Sequence, residues 1–310
     1  MNPFFFLLTT VCLILSTSIT TFAQAKYPSA ADITGAESSY DDFIGNFQRR
    51  ANDAVWLLGY DRIAWASSDS VMNEPDSIKA RLGTEWFCYQ DDNTQVWHIF
   101  FGKLDTATLH YQAVIHYTIN PEGHFERSKI TPDPQLCDGF GRAIFYANYL
   151  LAQHTPAVEL HMNQYARLRD DTIEVWFLPA ILPDYTLPFG GEFMYSFDKS
   201  GQKMIKSDIK YDKFYGVKPD TTRKIRLDYR QYAEPTVGSI FFVLQNYMQF
   251  KQILIETQWG VSGLIHSNDS EPAWVHLPQS ELPKSFSEDK GKNKKKNKTK
   301  KSKIKKNTKT

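Results

Sequence analysis

Four short segments rich in Asp, Asn, Pro, Gly and Ser divide the middle of the chain into strand-like runs. They are Asp91–Thr94, Asn120–Gly123, Asp170–Asp171 and Asp198–Gly201. These residue types let a chain reverse direction within a few positions. A reversal this short can join only antiparallel neighbours, because parallel strands need a crossover of about a dozen residues or more. The sequence therefore predicts an antiparallel β-meander.

The predicted strands that flank these turns are rich in aromatic and β-branched residues. They cover residues 85–90 and 95–102, 110–119 and 124–130, 158–169 and 172–179, and 192–197 and 203–211. Residues 109–120 alternate apolar with mostly polar side chains, which is typical of a sheet that packs on a core through one face. This alternation places His110 and His116 on the solvent or cleft side.

Three other segments follow the helical period. The first helix starts at Ser39, which forms a capping-box pattern with Asp42, and its pattern stops at Gly59. The second helix is predicted from Asp133 to His154, and the third covers residues 237–255. Residues 61–82 are ambiguous between helix and strand, with a break at Pro75. Together the segments predict an α+β protein whose antiparallel meander packs against a few helices, in one body of residues 26–278.

Both ends of the chain differ from this body. Residues 4–15 form an apolar run that is too short to span a membrane, and small residues follow at 21–25. We interpret residues 1–25 as a signal peptide, which predicts a periplasmic or secreted protein without a transmembrane span in the mature chain. No Lys or Arg precedes the apolar run, so an uncleaved anchor and a misassigned start remain alternatives.

Residues 279–310 form the predicted disordered tail, which contains twelve lysines from Lys290 onward and no acid after Asp289. The whole chain has 36 basic and 35 acidic residues. Without the twelve tail lysines, 24 basic residues face 35 acidic ones, a balance of −11. A lysine-rich tail favours an anionic membrane or polymer surface. The candidate surface-binding lysines are Lys294, Lys295, Lys296, Lys300, Lys301, Lys305 and Lys306.

Two alternatives remain for the tail. It either stays a solvated arm without a partner or binds nucleic acid phosphates without reading bases. Nucleic acid is disfavoured, because the chain carries an export signal and the tail has no Arg or aromatic residue to stack on bases.

The candidate binding residues in the body are histidines and tryptophans. His98, His110 and His116 lie on predicted neighbouring strands, where imidazoles could converge on a ligand. No HExxH or CxxC motif accompanies them, so we predict neither a metal site nor a cofactor. The seven tryptophans are expected mainly to pack in the core, with stacking on sugar faces as the alternative. For that alternative Trp259 and Trp274 are the better exposed candidates, because they lie among Gly, Ser and Asn near the end of the body.

Cys88 and Cys137 are the cysteines that remain after removal of the signal peptide. In an oxidising compartment they form either a disulfide or two buried free thiols. Cys137 near a helix start is a candidate nucleophile, but no His lies at a diagnostic spacing from it. Gly260–Gly263 resembles a serine elbow without matching GxSxG, and we interpret it as a turn.

Residues 21–26, Gly190–Phe193 and Phe197–Gly201 resemble stretches of uncharacterised exported bacterial proteins. The resemblance covers about a sixth of the chain and implies no activity.

These patterns favour a non-enzymatic protein of the cell envelope, with the tail on an anionic surface and the body bound to an unknown ligand or protein partner. One alternative is a hydrolase acting on envelope polysaccharide or peptidoglycan, and another is a subunit of an export or envelope complex. The sequence does not identify catalytic residues.

Overall fold

The computed structural model describes residues 39–91, 93–154, 161–267 and 270–283. Within these ranges, the residues from Asp42 onward belong to one compact unit. The helices are α1 (Tyr40–Met72), α2 (Asp76–Lys79), α3 (Pro134–His154) and α4 (Val237–Asn246). The strands are β1 (Phe87–Gln90), β2 (Trp97–Asp105), β3 (His110–Ile119), β4 (Phe125–Arg127), β5 (Met162–Arg169), β6 (Thr172–Pro179), β7 (Leu187–Asp198), β8 (Met204–Val217), β9 (Asp220–Asp228), β10 (Phe250–Glu256), β11 (Gly260–Ser267) and β12 (Ser270–Pro278).

Within the described residues the strands form three four-stranded sheets, and most of their pairs are antiparallel. The first two sheets are meanders in chain order, β1–β2–β3–β4 and β5–β6–β7–β8. All four predicted hairpins are therefore confirmed, as is the α+β fold class. No helix within the described ranges is both long and apolar enough to cross a membrane.

The third sheet was missed by sequence analysis. Its order is β12–β11–β10–β9, and β9 and β10 pair in parallel with helix α4 between them in the chain. Of its four strands, only β10 overlaps a predicted helix or strand, and that predicted element was a helix. A parallel pair lacks the short turn that reveals a hairpin, so turn chemistry alone does not predict it.

The predicted third helix is correct at its start and wrong at its end. Thr236 caps α4 by accepting the backbone N–H of Ser239. The helix ends at Asn246, and β10 begins at Phe250. The apolar residues of β10 pair with β9 on one side and β11 on the other, so burial in a sheet outweighs helical propensity here.

Helix α1 lies against the larger of two hydrophobic clusters. It runs to Met72, so the predicted end at Gly59 is wrong. A glycine inside a helix costs about 1 kcal/mol, and burial of Leu57 and Tyr60 on either side offsets that cost. The same cluster contains buried side chains of all three sheets, including Ile99, Trp176 and Ile253.

Helix α3 covers the second cluster, which lies between the first and second sheets. Phe140 of α3 stacks on Phe87 of β1 at 4.5 Å between ring centroids. The β7–β8 turn closely approaches α3: a Cβ on Gly201 would lie 2.1 Å from the carbonyl oxygen of Gly139. Gly201 also has φ +71°, so glycine is required there for conformation and for space.

Charged side chains beneath α1 form a compact network. Arg167 of β5 donates to Glu174 of β6 at 2.6 Å and to Asp53 of α1 at 3.0 Å. Its guanidinium also lies 4.8 Å from the ring centroid of Trp56. Arg169 pairs with the same two carboxylates. Because these charges compensate one another, the network joins α1 to the second sheet without leaving a buried charge unpaired.

Candidate functional site

Two of the predicted histidines meet on the first sheet. The Nδ1 of His98 on β2 lies 3.0 Å from the Nε2 of His116 on β3. The Nδ1 of His116 lies 3.2 Å from the carbonyl oxygen of Ile130, in the segment that leads into α3. The pair is diagonal across the sheet, because the residue directly opposite His98 is Thr118.

The hydrogen-bond network assigns the tautomers of this pair. A carbonyl oxygen only accepts, so the Nδ1 of His116 carries the hydrogen and its Nε2 accepts. His98 must then donate through its Nδ1, which leaves a lone pair on its Nε2. That Nε2 has no hydrogen-bond partner in the described part of the chain, and His98 is partly exposed. The pair thus holds one imidazole acceptor in a fixed orientation.

Aromatic rings pack against the pair, and burial favours its neutral form. Phe100 stacks on His116 at 4.2 Å between ring centroids, and Tyr89 stacks on His98 at 5.0 Å. Burial lowers the pKa of both histidines, and at His98 the carboxylate of Asp91 partly opposes that shift. Hydrogen bonds from Thr94 lower the pKa of Asp91, which is therefore ionised at neutral pH. The result is two neutral imidazoles beside one carboxylate.

His110 lies apart from this pair, so the prediction that His110 and His116 share an exposed face is wrong. The register shifts between Phe101 and Gly102, where β3 contributes Val114 as an extra residue. This bulge changes the inside–outside alternation of β3. As a result His116 is buried and His110 is exposed.

The partner of His110 is a buried carboxylate on α3. The Nδ1 of His110 lies 2.7 Å from Asp138, which also accepts the backbone N–H of Tyr111 at 2.7 Å. Arg142 donates to the same carboxylate at 3.2 Å. The Asp138 carboxylate therefore fixes the ring of His110 and leaves its Nε2 as the acceptor.

The described residues contain no group of three or more His, Cys, Asp or Glu side chains that could hold a metal ion. His98 and His116 hydrogen-bond to each other, which leaves the Nε2 lone pair of His98 uncommitted among the described residues. This arrangement can accept a hydrogen bond.

The two predicted tryptophans are partly buried rather than exposed. Trp259 stacks on Phe43 of α1 at 3.6 Å, and Trp274 meets Phe47 edge-on at 4.9 Å. Helix α1 therefore covers both indole rings, which pack against the larger cluster. The expectation of exposed rings is wrong, because the inner face of the third sheet packs against α1.

Both cysteines are free and buried, so the structure shows the second of the two alternatives. Cys88 belongs to the larger hydrophobic cluster and Cys137 to the other one, and no disulfide joins them. Burial raises the pKa of the Cys137 thiol to about 12, with Asp133 and Asp138 adding to the shift. A thiol with that pKa is not an activated nucleophile.

The segment Gly260–Gly263 begins strand β11, so its interpretation as a turn is wrong. Ser262 is buried, and its Oγ lies 2.9 Å from the Nδ1 of His276 on β12. Phe47 packs edge-on against the His276 ring at 4.3 Å between centroids. Burial lowers the pKa of His276 to about 4. This serine–histidine pair is covered by α1 and stabilises the third sheet.

One buried acid, Glu192 of β7, was not among the residues predicted from the sequence. Its Oε2 accepts the backbone N–H of Gly238 in the first turn of α4 at 2.7 Å. Burial raises the pKa of Glu192 to about 7, against the hydrogen bonds from Gly238 and Thr236, which lower it. The signal was visible in the sequence, because Glu192 is the only charged residue between Leu187 and Phe197.

A small cavity lies beside this acid. Its volume of about 20 Å³ is enough for one water molecule. The lining includes Gly190, Gly191, Gly238 and Tyr229, whose hydroxyl accepts the N–H of Gly190 at 3.1 Å. The cavity is too small for a ligand of the size of a sugar, so Glu192 and its surroundings are a structural polar site.

The fold and these sites define an α+β protein with three mainly antiparallel sheets around a long helix, and with one ordered histidine pair partly open to solvent. Comparison with known proteins finds no matching family model, no matching curated protein and no matching solved structure. The predicted signal peptide and the seven candidate tail lysines lie outside the described residues.

Proposed function

We propose that this chain is a non-enzymatic protein of the cell envelope, outside the cytoplasm. Its lysine tail associates with an anionic surface, and its body binds a ligand or partner. The observation that supports this most directly is the separation of charge along the chain. Twelve lysines lie in the last 21 residues, whereas the rest of the chain has a balance of −11.

This separation gives the two parts different tasks. A lysine near an acidic membrane surface contributes on the order of 1 kcal/mol, and salt weakens that attraction. An acidic body is repelled by the same surface. The tail therefore determines where the protein resides, while the body stays away from the surface and available for binding. Lysines provide no shape or sequence recognition, so specificity belongs to the body.

The histidine pair is the best supported ligand site on the body. It is partly open, its orientation is fixed by a hydrogen bond and by stacking, and one imidazole acceptor has no partner among the described residues. Preorganised polar groups of this kind lower the entropic cost of binding.

The experiment that tests this function is a vesicle co-sedimentation assay at low salt. Replacement of Lys294, Lys295, Lys296, Lys300, Lys301, Lys305 and Lys306 by Gln should strongly weaken sedimentation with vesicles that contain phosphatidylglycerol. The matched control changes the same number of exposed body lysines to Gln and should sediment normally: Lys129, Lys199, Lys203, Lys206, Lys213, Lys224 and Lys251. Equal binding by the tail variant would refute the proposal.

One observation favours hydrolysis of an envelope polymer as a second candidate function. The buried carboxylate of Asp138 orients His110, whose side chain is 67% exposed. A carboxylate that fixes an accessible imidazole is the arrangement of a general base. Under this candidate function, His110→Gln would abolish release of soluble fragments from peptidoglycan by the purified protein. An absence of fragment release by the unmodified protein excludes this candidate for that polymer.

A further inference from the structure

We propose that a groove between helix α1 and strand β5 binds a phosphate group through three arginines, Arg49, Arg50 and Arg169. This inference goes beyond the proposed function, because it adds to the body a binding site that shares no residue with the histidine pair. It does not depend on the role of the tail.

The groove has a polar lining and a volume of about 460 Å³. It is lined by Asn46, Arg49, Arg50, Asn52 and Asp53 of α1 and by Arg169, the last residue of β5. Residues three or four positions apart lie on one face of a helix, so their spacing in the sequence brings the α1 side chains together. The volume falls within the range of about 300–1,000 Å³ that is typical of small-molecule sites. The groove therefore has room for a phosphate and for part of the molecule that carries it.

Arg49 has no carboxylate partner among the described residues. Its Nη2 donates to the neutral Oδ1 of Asn46, and the amide nitrogen of Asn46 donates to Glu234 at 3.2 Å. This chain of hydrogen bonds holds the exposed guanidinium at the groove. Arginine carries five N–H donors, and the single contact with Asn46 leaves most of them for a ligand.

Arg50 and Arg169 are paired with carboxylates and still accessible. Arg50 donates to Glu234, and its side chain is 35% exposed. Arg169 pairs with Asp53 and Glu174, and its side chain is 45% exposed. The three carboxylates are much less exposed than these two guanidiniums, so a ligand reaches the arginines first. The ion pairs also position both arginines before the ligand arrives, which lowers the entropic cost of binding.

The charge around the groove is positive, whereas the body as a whole has a balance of −11. The lining carries three arginines and one carboxylate, a balance of +2. Glu174, Glu234 and Arg167, which belong to the same ion pairs, change this balance to +1. A cleft with an excess of one sign of charge attracts ligands of the opposite sign. The groove is therefore a place on an acidic body where an anion is favoured.

The number of donors favours a phosphate over a carboxylate. A carboxylate has two oxygens, and one bidentate arginine engages both. Three guanidiniums offer more donors than that, and the Nδ2 of Asn52 adds another, because Gln48 donates to the Oδ1 of this amide at 3.0 Å. A phosphate presents three or four oxygens around a tetrahedral centre and accepts from several arginines at once.

The experiment follows the Nε–H signals of the arginines by NMR in the full-length chain with ¹⁵N-labelled arginine. All twelve tail lysines are replaced by Gln, so that the tail does not compete for the anion. Inorganic phosphate is added at constant ionic strength. The expected result is a saturable shift of the Arg49, Arg50 and Arg169 signals. Acetate, which has only two oxygens, should bind about tenfold more weakly.

Substitutions in the same tail variant test the unpaired arginine. Arg49→Gln breaks no ion pair of the described residues, so the fold should be retained. It should weaken phosphate binding about tenfold or more, measured on the Arg50 and Arg169 signals. Arg49→Lys keeps the charge without the planar pair of donors and should restore binding only in part. The matched control is Arg62→Gln, which removes an exposed charge from α1 outside the groove and should bind phosphate normally.

A soluble phosphorylated molecule and a lipid headgroup present the same phosphate oxygens. Sedimentation with phosphatidylglycerol vesicles at low salt separates these two sources. If Arg49→Gln reduces the sedimentation that remains in the tail variant, the groove binds the headgroup. If that sedimentation is unchanged while inorganic phosphate still shifts the groove arginines, the ligand is a soluble phosphate.

The proposal is overturned if phosphate causes no saturable shift of the groove arginines, if acetate binds as tightly as phosphate, or if Arg49→Gln binds phosphate as well as Arg62→Gln does. None of these outcomes involves the tail lysines. Equal sedimentation of the unmodified chain and the tail variant would instead refute the role of the tail, so the two failures are distinguishable.

Discussion

The carboxylate of Glu192 on β7 accepts the backbone N–H of Gly238 across 2.7 Å, so an acid of the second sheet closes the first turn of α4. The start of a helix leaves its first N–H groups without intrahelical partners and attracts negative charge. Burial opposes ionisation of the same carboxyl and raises its pKa to about 7. Protonation of this group is therefore linked to the stability of the fold near neutral pH.

We expect the Glu192→Gln variant to be more stable relative to the wild type at pH 8 than at pH 5. The folded pKa of about 7 lies above the ordinary 4.5, so the native state binds more protons than the unfolded state between these values. Stability of the wild type therefore falls as pH rises from about 4.5 to 7, by on the order of 3 kcal/mol, and Gln removes that decrease. Urea unfolding of the wild type and of Glu192→Gln at both pH values measures this difference in stability. Exposed Glu126→Gln is the control, and parallel pH dependence in wild type and Glu192→Gln would contradict the prediction.

Replacement of Gly201 by Ala should destabilise the protein more than replacement of Gly123 by Ala. Both glycines have left-handed backbones, with φ of +71° and +83°, which cost a residue with a Cβ about 1–2 kcal/mol. A Cβ on Gly201 would additionally clash with Gly139, whereas nothing lies within 4 Å of one on Gly123. Overpacking adds about 1–3 kcal/mol. Thermal unfolding of the two variants gives the difference directly. Equal losses would mean that the β7–β8 turn is not packed on α3.

Substitution of Arg167 by Met should cost about 1–3 kcal/mol of unfolding free energy, because it leaves the half-buried carboxylates of Glu174 and Asp53 with only Arg169 as partner. The control is Lys218→Met. Lys218 pairs with Asp184 on the surface, and its loss should not change the unfolding midpoint measurably. A Met variant as stable as the wild type would show that the network contributes only specificity.

His276→Gln should make the protein more resistant to acid. Burial lowers the pKa of His276 to about 4, below the ordinary 6.5. The unfolded state then binds more protons than the native state between these values, so stability is fully present above about 6.5 and is lost as pH falls toward 4. The loss amounts to about 1–3 kcal/mol, since the ring is only partly buried. Gln keeps a hydrogen-bonding group for Ser262 without titrating. Acid unfolding followed by circular dichroism, with His124→Gln alongside, checks this prediction, and an unchanged acid midpoint in His276→Gln would argue against it.

Local patterns were enough to predict the two meanders and helix α3. Their turns have residues that reverse a chain over a few positions, and α3 has an uninterrupted apolar stripe from Phe140 to Leu151. Where the sequence analysis went wrong, a distant contact competed with a local signal. Gly59 does not stop α1, because its neighbours are buried. Phe250–Glu256 forms a strand, because two other strands pair with it.

At the candidate site, too, local sequence patterns were informative and distant contacts were not predicted. Sequence identified His98 and His116 as residues on neighbouring strands, and their alternation favoured a polar face. It also grouped His110 with them. The bulge at Val114 separates His110 from His116, and a bulge of one residue leaves no sequence pattern that periodicity detects.

The sequence by itself determined the segregation of charge, the hairpins and the α+β class, because each depends on residue type and on spacing along a few positions. Only the tertiary structure decided which imidazoles meet, that both cysteines stay free, that Trp259 and Trp274 pack against α1 and that Glu192 is buried at a helix start. These outcomes depend on contacts between residues far apart in the chain, where burial and register override local preference.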